Sequence, residues 1–352
     1  MPDQTVQIGF VGVGSMGQCA HLKNYNRLQD CEVVALAEIR PKLAQKVAAR
    51  YGIPNVYSNH EDMLENEDLD GIVASQPFDR HGVLVLELLE ADVPVFTEKP
   101  LAASCQIGEQ IVEAEQKAGA THMVGYHKRS DPATVRTVEE IENLKETGEL
   151  GDLKYVRILM PAGDWVASGF NDLIQTDEQC PDLDRDPPPP DMNEETFQEY
   201  TAFVNYYIHQ VNLMRLLFGE PYDVTYAEPS GVLMAVQSQS GVAGTIEMSP
   251  YVTTVDWQES ALVCFEKGWI RLDLPAPLAC NRAGKVSIFR DPGCGNPPET
   301  RIPQLPWTHA MQQQAANFTR VCRGETDPPC DSEEALEDLR IARNYIHLKR
   351  ET

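Results

Sequence analysis

Short apolar runs alternate with amphipathic segments over the first 125 residues of the chain. Five runs rich in β-branched residues have the length of strands, namely "VQIGFVGVG", "CEVVALAE", "GIVAS", "PVFTEK" and "HMVGY". The segments between them, such as "RPKLAQKVAARYG", space their apolar residues as helices do. Strands that alternate with helices of this length predict βαβ units and a parallel sheet covered on both faces.

The pattern changes after about Arg129. Residues 131–150 predict one long helix, with stop signals at Gly148 and Gly151, and "LKYVRILMPA" predicts a strand after it. Residues 161–198 predict irregular structure, because their four consecutive prolines exclude a helix or a central strand. A loop this long in a compact domain is expected to be either functional or disordered.

The rest of the chain predicts helices around a meander of strands. The helix "YTAFVNYYIHQVNLMRLLFG" ends at Gly219, and five β-like runs follow at short spacing, with hairpin connections in "QSQSGVAG" and at Lys267-Gly268. Two further helical segments follow these runs. We therefore predict an α/β protein with a parallel-sheet domain over residues 1–128. Residues 129–352 should form an α+β domain with a large, mostly antiparallel open sheet.

Composition narrows the function classes. A formal charge of −25 argues against binding nucleic acid or anionic membranes, and it fits either a salty habitat or good solubility. No apolar run is long enough to span a bilayer, and "MPDQTVQIGFVGVG" lacks the basic segment of a signal peptide. The nine cysteines are scattered without a CxxC pair, which predicts reduced thiols in the cytoplasm and no bound metal.

Three glycines between the first predicted strand and helix indicate a dinucleotide site. Gly12, Gly14 and Gly17 spell GxGxxG, in which the first allows a tight turn, the second admits a pyrophosphate and the third lets helix and strand pack closely. Glu38 follows the second strand, where a carboxylate binds a ribose diol and repels a 2′-phosphate. NAD is therefore favoured over NADP, although Arg40 can still hold a phosphate together with Lys42.

The stretch "VFTEKPLA" ends a strand on two opposite charges. Glu98 and Lys99 are followed by Pro100, which restricts Lys99 to extended geometry. A surface ion pair is the simple interpretation. A lysine on a rigid strand end is also what a catalytic site requires.

Six motifs in order carry a family likeness over essentially the whole chain. They are "GFVGVGSMG", "VVALAEIRP", "IVASQPFDRH", "VFTEKPLA", "VGYHKRSDPA" and "VNYYIHQVNLMRLLFG". Together they resemble the glucose–fructose oxidoreductase, inositol dehydrogenase and rhizopine-catabolism (Gfo/Idh/MocA) family of sugar and cyclitol oxidoreductases. The resemblance implies a Rossmann domain, and a second domain whose open sheet serves as the interface of a homodimer or homotetramer.

The resemblance also implies functional residues. The lysine of the EKP motif, Lys99, would lie near the nicotinamide and the reacting hydroxyl, and His209 matches the histidine of the family's Asp-x-x-x-His motif. The resemblance places Ser75, Gln76, Pro77 and His81 near the cofactor, beside Glu98 and Lys99, and the glycine motif adds Gly12, Gly14, Ser15, Met16, Gly17 and Glu38 to the cofactor-binding residues. It places Lys99, His127, Lys128 and His209 at the substrate, with Asn205 at the family's aspartate position. Trp165 either forms a wall of the sugar pocket or belongs to a surface loop.

The chain departs from the family pattern beside His209. The aspartate position holds Asn205, and the acidic position three residues after the histidine holds Asn212. An amide can hydrogen-bond a substrate but cannot titrate or neutralise an imidazolium. These two positions therefore supply no carboxylate partner for His209.

Chemistry assigns roles to these residues. Oxidising a secondary alcohol with NAD requires a base for the hydroxyl proton, and histidine titrates near neutral pH, so His209 is the candidate base. Lys99 would polarise the oxygen or act as the base itself. Asn205 and His209 lie i, i+4, on one helix face. Lys128 either recognises an acidic substituent or pairs with the chain's many carboxylates.

Three functions remain open at this stage. The first is an NAD-dependent dehydrogenase acting on a small carbohydrate or cyclitol. The second is a glycosidase that uses held NAD for transient oxidation and elimination. The third is a cofactor-binding regulator without catalysis.

Overall fold

The computed structural model describes residues 5–248, 251–293 and 295–351. These residues form two compact units, each described by itself below. The first contains the described residues up to Tyr126, together with Ser168–Phe197 and Met311–Leu339. The second contains His127–Ala167, Gln198–Ala310 and the described residues from Arg340 onward. Both units are thus assembled from separate stretches of the chain.

The first unit is built on a six-stranded parallel sheet. Its strands pair in the order β3-β2-β1-β4-β5-β6, with β1 Val6–Val11, β2 Cys31–Ala37, β3 Asn55–Tyr57, β4 Gly71–Ala74, β5 Val95–Glu98 and β6 His122–Gly125. This confirms the predicted parallel sheet. The strand β3 was not predicted, because three residues are too few to display a strand period.

Nine α-helices lie in the described part of the chain. They are α1 Lys23–Tyr25, α2 Pro41–Tyr51, α3 His60–Asn66, α4 His81–Leu89, α5 Cys105–Ala118, α6 Pro132–Thr147, α7 Glu194–Phe218, α8 Ala310–Cys322 and α9 Ser332–Glu351. The helix predicted after the glycines is π-helical over Gly17–Leu22, which its composition did not indicate. None of the helices within the described ranges is long and apolar enough to cross a membrane.

Aromatic side chains join distant parts of the chain in the first core. The ring of Tyr25 packs edge-on against Phe10 of β1, with centroids 5.4 Å apart. Phe318 of α8 contacts both Tyr25 and Phe96 of β5, at 6.4 and 5.7 Å. All four rings are essentially inaccessible to solvent. Burial of these large apolar surfaces explains why residues late in the chain belong to the first unit.

The second unit is built on an eight-stranded sheet. Its order is β14-β13-β12-β11-β7-β10-β9-β8, with β7 Leu153–Leu159, β8 Tyr222–Ala227, β9 Leu233–Ser238, β10 Ala243–Glu247, β11 Glu259–Phe265, β12 Gly268–Leu274, β13 Lys285–Arg290 and β14 Glu299–Arg301. All neighbours are antiparallel except β7 and β10, which confirms the mostly antiparallel sheet. The edge strand β14 and its neighbour β13 were not predicted.

One face of this sheet is covered and the other is more open. Along β11 the burial alternates strictly, with Glu259, Ala261, Val263 and Phe265 buried and the residues between them half-buried. Alternation of this kind is the pattern of an antiparallel sheet packed on one side.

The predicted irregular segment is observed. From Pro161 to Asn193 the chain contains no helix or strand apart from one isolated bridge at Ala162. Most of the segment, from Ser168 onward, belongs to the first unit. Its contacts there form part of the candidate site.

Candidate functional site

The glycine loop turns directly from β1 into the following helix. Gly12 has a φ of +85°, and a Cβ there would lie 2.9 Å from the backbone oxygen of Ser75 and would also strike the side chain of Gln76. A Cβ on Gly17 would lie 2.7 Å from the backbone oxygen of Gly12. No other atom of the described residues comes within 4 Å of a Cβ built on Gly14. The first and third glycines are therefore required by packing, and the second leaves open space beside the backbone, as a dinucleotide phosphate needs.

Glu38, which follows β2, is buried and fully engaged. Its Oε2 accepts a hydrogen bond from the backbone N–H of Val13 at 3.0 Å. The guanidinium of Arg40 binds the same carboxylate in bidentate fashion, with Nε at 2.7 Å from Oε1 and Nη2 at 3.0 Å from Oε2. This hydrogen bonding raises the pKa of Arg40. Arg40 therefore neutralises the Glu38 carboxylate, which the sequence assigned to the binding of a ribose. Because Glu38 holds its guanidinium, Arg40 is not available to bind a phosphate.

A cavity of about 340 Å³ lies beside the glycine loop. Its lining includes Gly14, Ser15, Gln18 and Arg40. It also includes residues 173–176 and 178, which belong to the segment 173–178, here called the strap. Met16, beside Ser15 in the loop, is half-buried and lies outside this lining.

Gln18 ties the strap to the glycine loop. Its side-chain amide donates to the backbone oxygens of Val13, at 2.8 Å, and Ile174, at 3.1 Å. Its Oε1 accepts from the Ile174 N–H at 3.0 Å. These bonds satisfy both the oxygen and the nitrogen of the amide. Gln18 therefore fixes the position of the strap relative to the glycine loop.

The turn after β4 lies against the first glycine. Ser75 donates its N–H to the Val11 oxygen at 3.0 Å, and the Gln76 amide reaches the same oxygen at 3.4 Å. Pro77 is exposed. His81 is fully buried, and its Nδ1 is hydrogen-bonded to the Leu101 oxygen at 3.0 Å. Ser75 and Gln76 thus adjoin the dinucleotide loop, whereas His81 supports the chain behind it and presents no surface to a cofactor.

Glu98 and Lys99 end β5 in a rigid setting. The Glu98 Oε1 lies 2.8 Å from Nε2 of His21, and both side chains are buried. The other carboxylate oxygen accepts the Lys99 N–H at 3.2 Å, and the Lys99–Pro100 peptide is cis. Burial raises the pKa of Glu98, but the hydrogen bond and charge of His21 and the charge of Lys99 outweigh it, so the pKa lies below its ordinary value. Glu98 therefore holds the backbone of Lys99 in place through this hydrogen bond.

A second buried histidine braces the same strand. Thr97 Oγ1 lies 2.9 Å from Nε2 of His122, whose Nδ1 lies 2.7 Å from the Ser332 hydroxyl. Complete burial lowers the pKa of His122 to about 3. This imidazole is therefore neutral at physiological pH and holds β5, β6 and α9 together.

In the second unit, two histidines pack against each other. The rings of His127 and His209 are 4.4 Å apart at 77°, and the residues are 3% and 9% exposed. Asn205, one turn before His209 on α7, is exposed. The structure thus brings the rings of His127 and His209 into contact.

Lys128 lies in a buried ion pair. Its Nζ is 2.5 Å from Oε2 of Glu259, and the two side chains are 4% and 0% exposed. Oε1 of Glu259 accepts a hydrogen bond from Gln210 at 2.6 Å, and the ring centroid of Trp257 lies 5.8 Å from Nζ. Of the two interpretations of Lys128, this geometry favours pairing with a carboxylate over binding a substrate.

Two further positions that the sequence singled out lie in the second unit. Asn212 is buried and accepts a hydrogen bond from Nε of Arg129 at 2.7 Å, so the amide at this acidic position has a cationic donor. Trp165 is half-buried, and its backbone oxygen accepts the Leu278 N–H at 3.3 Å.

A larger cavity, of about 630 Å³, lies at the ends of β7, β11 and β12 in the second unit. Its lining includes Trp257, Glu259, Arg271, Arg282 and Lys285, but not Trp165. Trp165, which the sequence suggested as a wall of the substrate pocket, therefore does not line this cavity itself. The nearby residues Asp164 and Ala167 do line it.

The predicted site residues thus divide between the units. Lys99 and all the residues assigned to cofactor belong to the first unit, and the remaining substrate candidates belong to the second. The sequence reasoning missed Gln18, the strap, Gln210 and Glu259. Of these, only Glu259 could have been found from the sequence. It alternates in step with Ala261 and Val263, so it lies on the buried face of β11. A charged residue on a buried face needs a partner.

One surface cluster has the residue types of a metal site. Among the described residues, one group of His and acidic side chains brings three ligand atoms within 4.8 Å of one another, namely His60, Glu61 and Glu87. His60 pairs with Glu87 at 2.8 Å and with Glu61 at 3.4 Å, and both carboxylates are exposed. These surface ion pairs account for the grouping.

Residues 6–126 match a family model described as the oxidoreductase family with an NAD-binding Rossmann fold. The inositol 2-dehydrogenase of Rubrobacter xylanophilus is 34% identical over 140 residues, which cover 39% of this chain and 40% of that protein. The uncharacterized oxidoreductase YrbE of Bacillus subtilis is 22% identical over 258 residues, which cover 73% and 65%. The matches thus span less than two thirds of these relatives.

Solved structures share the fold over the full length of the chain. The aldose-aldose oxidoreductase from Caulobacter crescentus aligns with a TM-score of 0.72 and 18% identity, over 99% of this chain and 98% of that one. An oxidoreductase from Agrobacterium radiobacter, in complex with NAD+, L-tartaric acid and magnesium, aligns with a TM-score of 0.71 and 15% identity, over 99% and 97%. Residues 6–126, which carry the glycine loop on its parallel sheet, thus match the Gfo/Idh/MocA oxidoreductase model, and the solved structures share the fold of the whole chain.

Proposed function

We propose that this protein is an NAD-dependent oxidoreductase that transfers a hydride between nicotinamide and a secondary alcohol of a sugar, sugar derivative or cyclitol. The observation that carries the proposal is the glycine loop, in which packing demands Gly12 and Gly17 while Gly14 faces open space. The relatives named inositol 2-dehydrogenase support the substrate class.

The residues around the glycine loop fit a dinucleotide. The backbone of Gly12, Gly14 and Ser15 would hold the pyrophosphate, with Gln76 on the neighbouring turn. When bound, NAD supplies the acceptor for the hydride. Glu98, held by His21, keeps the Lys99 backbone in place.

The protein must also manage the hydroxyl proton. His209 would accept it, since an imidazole exchanges protons near neutral pH. Its edge-on packing against His127 restricts the orientation of the ring. Lys99 would stabilise the developing negative charge on the oxygen, and Asn205 would hydrogen-bond the substrate without titrating.

Assembly and location follow as further proposals. The less covered face of the second sheet carries Leu262, Trp269 and Phe289, and the last two rings are stacked 5.7 Å apart. Apolar groups on such a face favour a homodimer or homotetramer. The eight free cysteines among the described residues favour the cytoplasm. Light scattering that gives the mass of a monomer would contradict the assembly.

The test is NADH formation with hexoses, glycosides, uronic acids and inositols, followed by near-ultraviolet absorbance. Lys99→Met should lose the activity, and Lys117→Met, which alters an exposed lysine of α5, should keep it. Release of aglycone without net NADH would identify the glycosidase. Tight NAD binding with no turnover of any compound would identify the regulator.

A further inference from the structure

The strap contacts the part of the nucleotide site where NAD and NADP differ. In this fold the loop after β2 meets the adenosine ribose, and an arginine there accommodates a 2′-phosphate. In this chain Arg40 directly precedes α2, and Lys42 lies in its first turn. Two cations at a helix N-terminus ordinarily favour the binding of a phosphate.

The strap occupies Lys42 and the N-terminus of α2. Asp177 binds Nζ of Lys42 at 3.0 Å. The Glu178 carboxylate accepts the backbone N–H groups of Lys42 and Leu43, at 3.0 and 2.9 Å, in the first turn of α2. Thr176 donates its hydroxyl to the same carboxylate at 3.1 Å. The free N–H groups of α2 are therefore already satisfied by an acidic side chain.

The strap also reverses the local charge. Glu38, Arg40 and Lys42 alone sum to one positive charge, and the two strap carboxylates turn that sum into one negative charge. Glu38 by itself is poorly suited to repel a phosphate, because Arg40 neutralises it in bidentate fashion. The negative charge at this end of the site thus comes from residues about 135 positions further along the chain.

We propose that Asp177 and Glu178 exclude the 2′-phosphate of NADP and so determine the preference of this protein for NAD. The inference rests on the proposed function, since it assumes that the glycine loop binds a dinucleotide. It adds a second determinant to the acidic residue after β2. The strap selects by occupying the α2 N-terminus and by repulsion, and Glu178 carries the larger part because Asp177 is highly exposed.

The test compares the Kd values of NAD and NADP for the full-length protein by calorimetry at one fixed salt concentration. Glu178→Ala should tighten NADP binding about tenfold, which corresponds to about 1.4 kcal/mol, and change NAD binding by less than about threefold. Glu178→Gln should move in the same direction by less, because the amide removes the charge but still covers the helix end.

The matched control is Asp186→Asn. Asp186 belongs to the same irregular segment and accepts the Gly82 N–H at 3.0 Å, at the start of α4. The substitution removes a negative charge from the same segment without touching the β2–α2 loop, so both Kd values should change by the same factor. Thermal melts of each variant verify folding.

Three results would overturn the inference. One is a wild-type protein that binds NADP as tightly as NAD. Another is a ratio of Kd values that Glu178→Ala leaves unchanged. The third is an equal shift of that ratio in Asp186→Asn. A wild-type protein that binds neither dinucleotide would instead refute the proposed function itself.

Discussion

Replacing Lys128 with methionine should destabilise the second unit strongly, because Glu259 then keeps a negative charge with no cation. The carboxylate has no exposed side-chain surface, and the ammonium that neutralises it lies 2.5 Å away. Methionine preserves most of the lysine volume, so packing changes little. The expected effect is therefore electrostatic.

The magnitude follows from the burial of the pair. Removing one partner of a buried ion pair costs about 3–5 kcal/mol in unfolding free energy. The hydrogen bond from Gln210 to Oε1 remains, which favours the lower end of this range. For a unit of this size, a loss of about 3 kcal/mol lowers Tm by roughly 6–12 °C.

Two further variants isolate the cause. Lys128→Met with Glu259→Gln removes both charges and should recover at least half of the loss, because a neutral pair of similar volume carries no buried charge. Lys154→Met removes an exposed lysine that pairs with Glu266 at 2.8 Å and should cost at most about 1 kcal/mol.

The assay is urea unfolding followed by circular dichroism, together with KM for acidic and neutral substrates. The reasoning is refuted if Lys128→Met is no less stable than Lys154→Met. A selective rise in KM for acidic substrates, with stability unchanged, would show instead that Lys128 binds substrate.

Three other outcomes are expected. Since unfolded histidine titrates near pH 6.5 and burial holds the pKa of His122 at about 3, the unfolded state binds the extra proton between these values. Stability should therefore fall as pH drops from 6.5 towards 3, by up to about 1.4 kcal/mol per unit in urea titrations. In His122→Gln this part of the slope should vanish, and an unchanged slope would contradict the assignment. Gly12→Ala should lower Tm because its φ is +85° and its Cβ meets Ser75, whereas Gly14→Ala should keep Tm and weaken NAD binding; equal Tm losses would contradict the packing argument. Potassium chloride should raise Tm by screening a net charge of −25, more than an equal osmolality of sucrose does, and a fall in Tm would contradict this.

Local pattern carried much of the architecture. The period of apolar residues located five of the six strands in the first sheet, and the end of α7 followed from Gly219, which has a φ of +71°. The glycine spacing located the loop after β1, because Gly12 and Gly17 are constrained by atoms of that loop itself and of the turn after the neighbouring strand β4. Such features depend mainly on residues close in sequence, so they can be predicted from a single sequence.

The partners of the charged residues could not be predicted from the sequence in this way. The sequence identified Glu38 and Lys128 as candidates, but it did not reveal that Arg40 holds one and Glu259 the other. An ion pair between residues 131 positions apart leaves no periodic trace, and the same holds for Gln18 and Ile174, 156 positions apart. Residue types alone leave open whether a charge serves a ligand or a fold.

What the sequence determined by itself, then, was the order of elements, the glycine loop, the EKP strand end and the histidine on α7, since propensity, period and turn chemistry act over a few residues. Only the tertiary structure decided that the strap packs against the glycine loop. It also decided which carboxylates are neutralised and which histidines are buried. Those outcomes depend on desolvation and pairing between distant parts of the chain, and these are properties of the folded molecule.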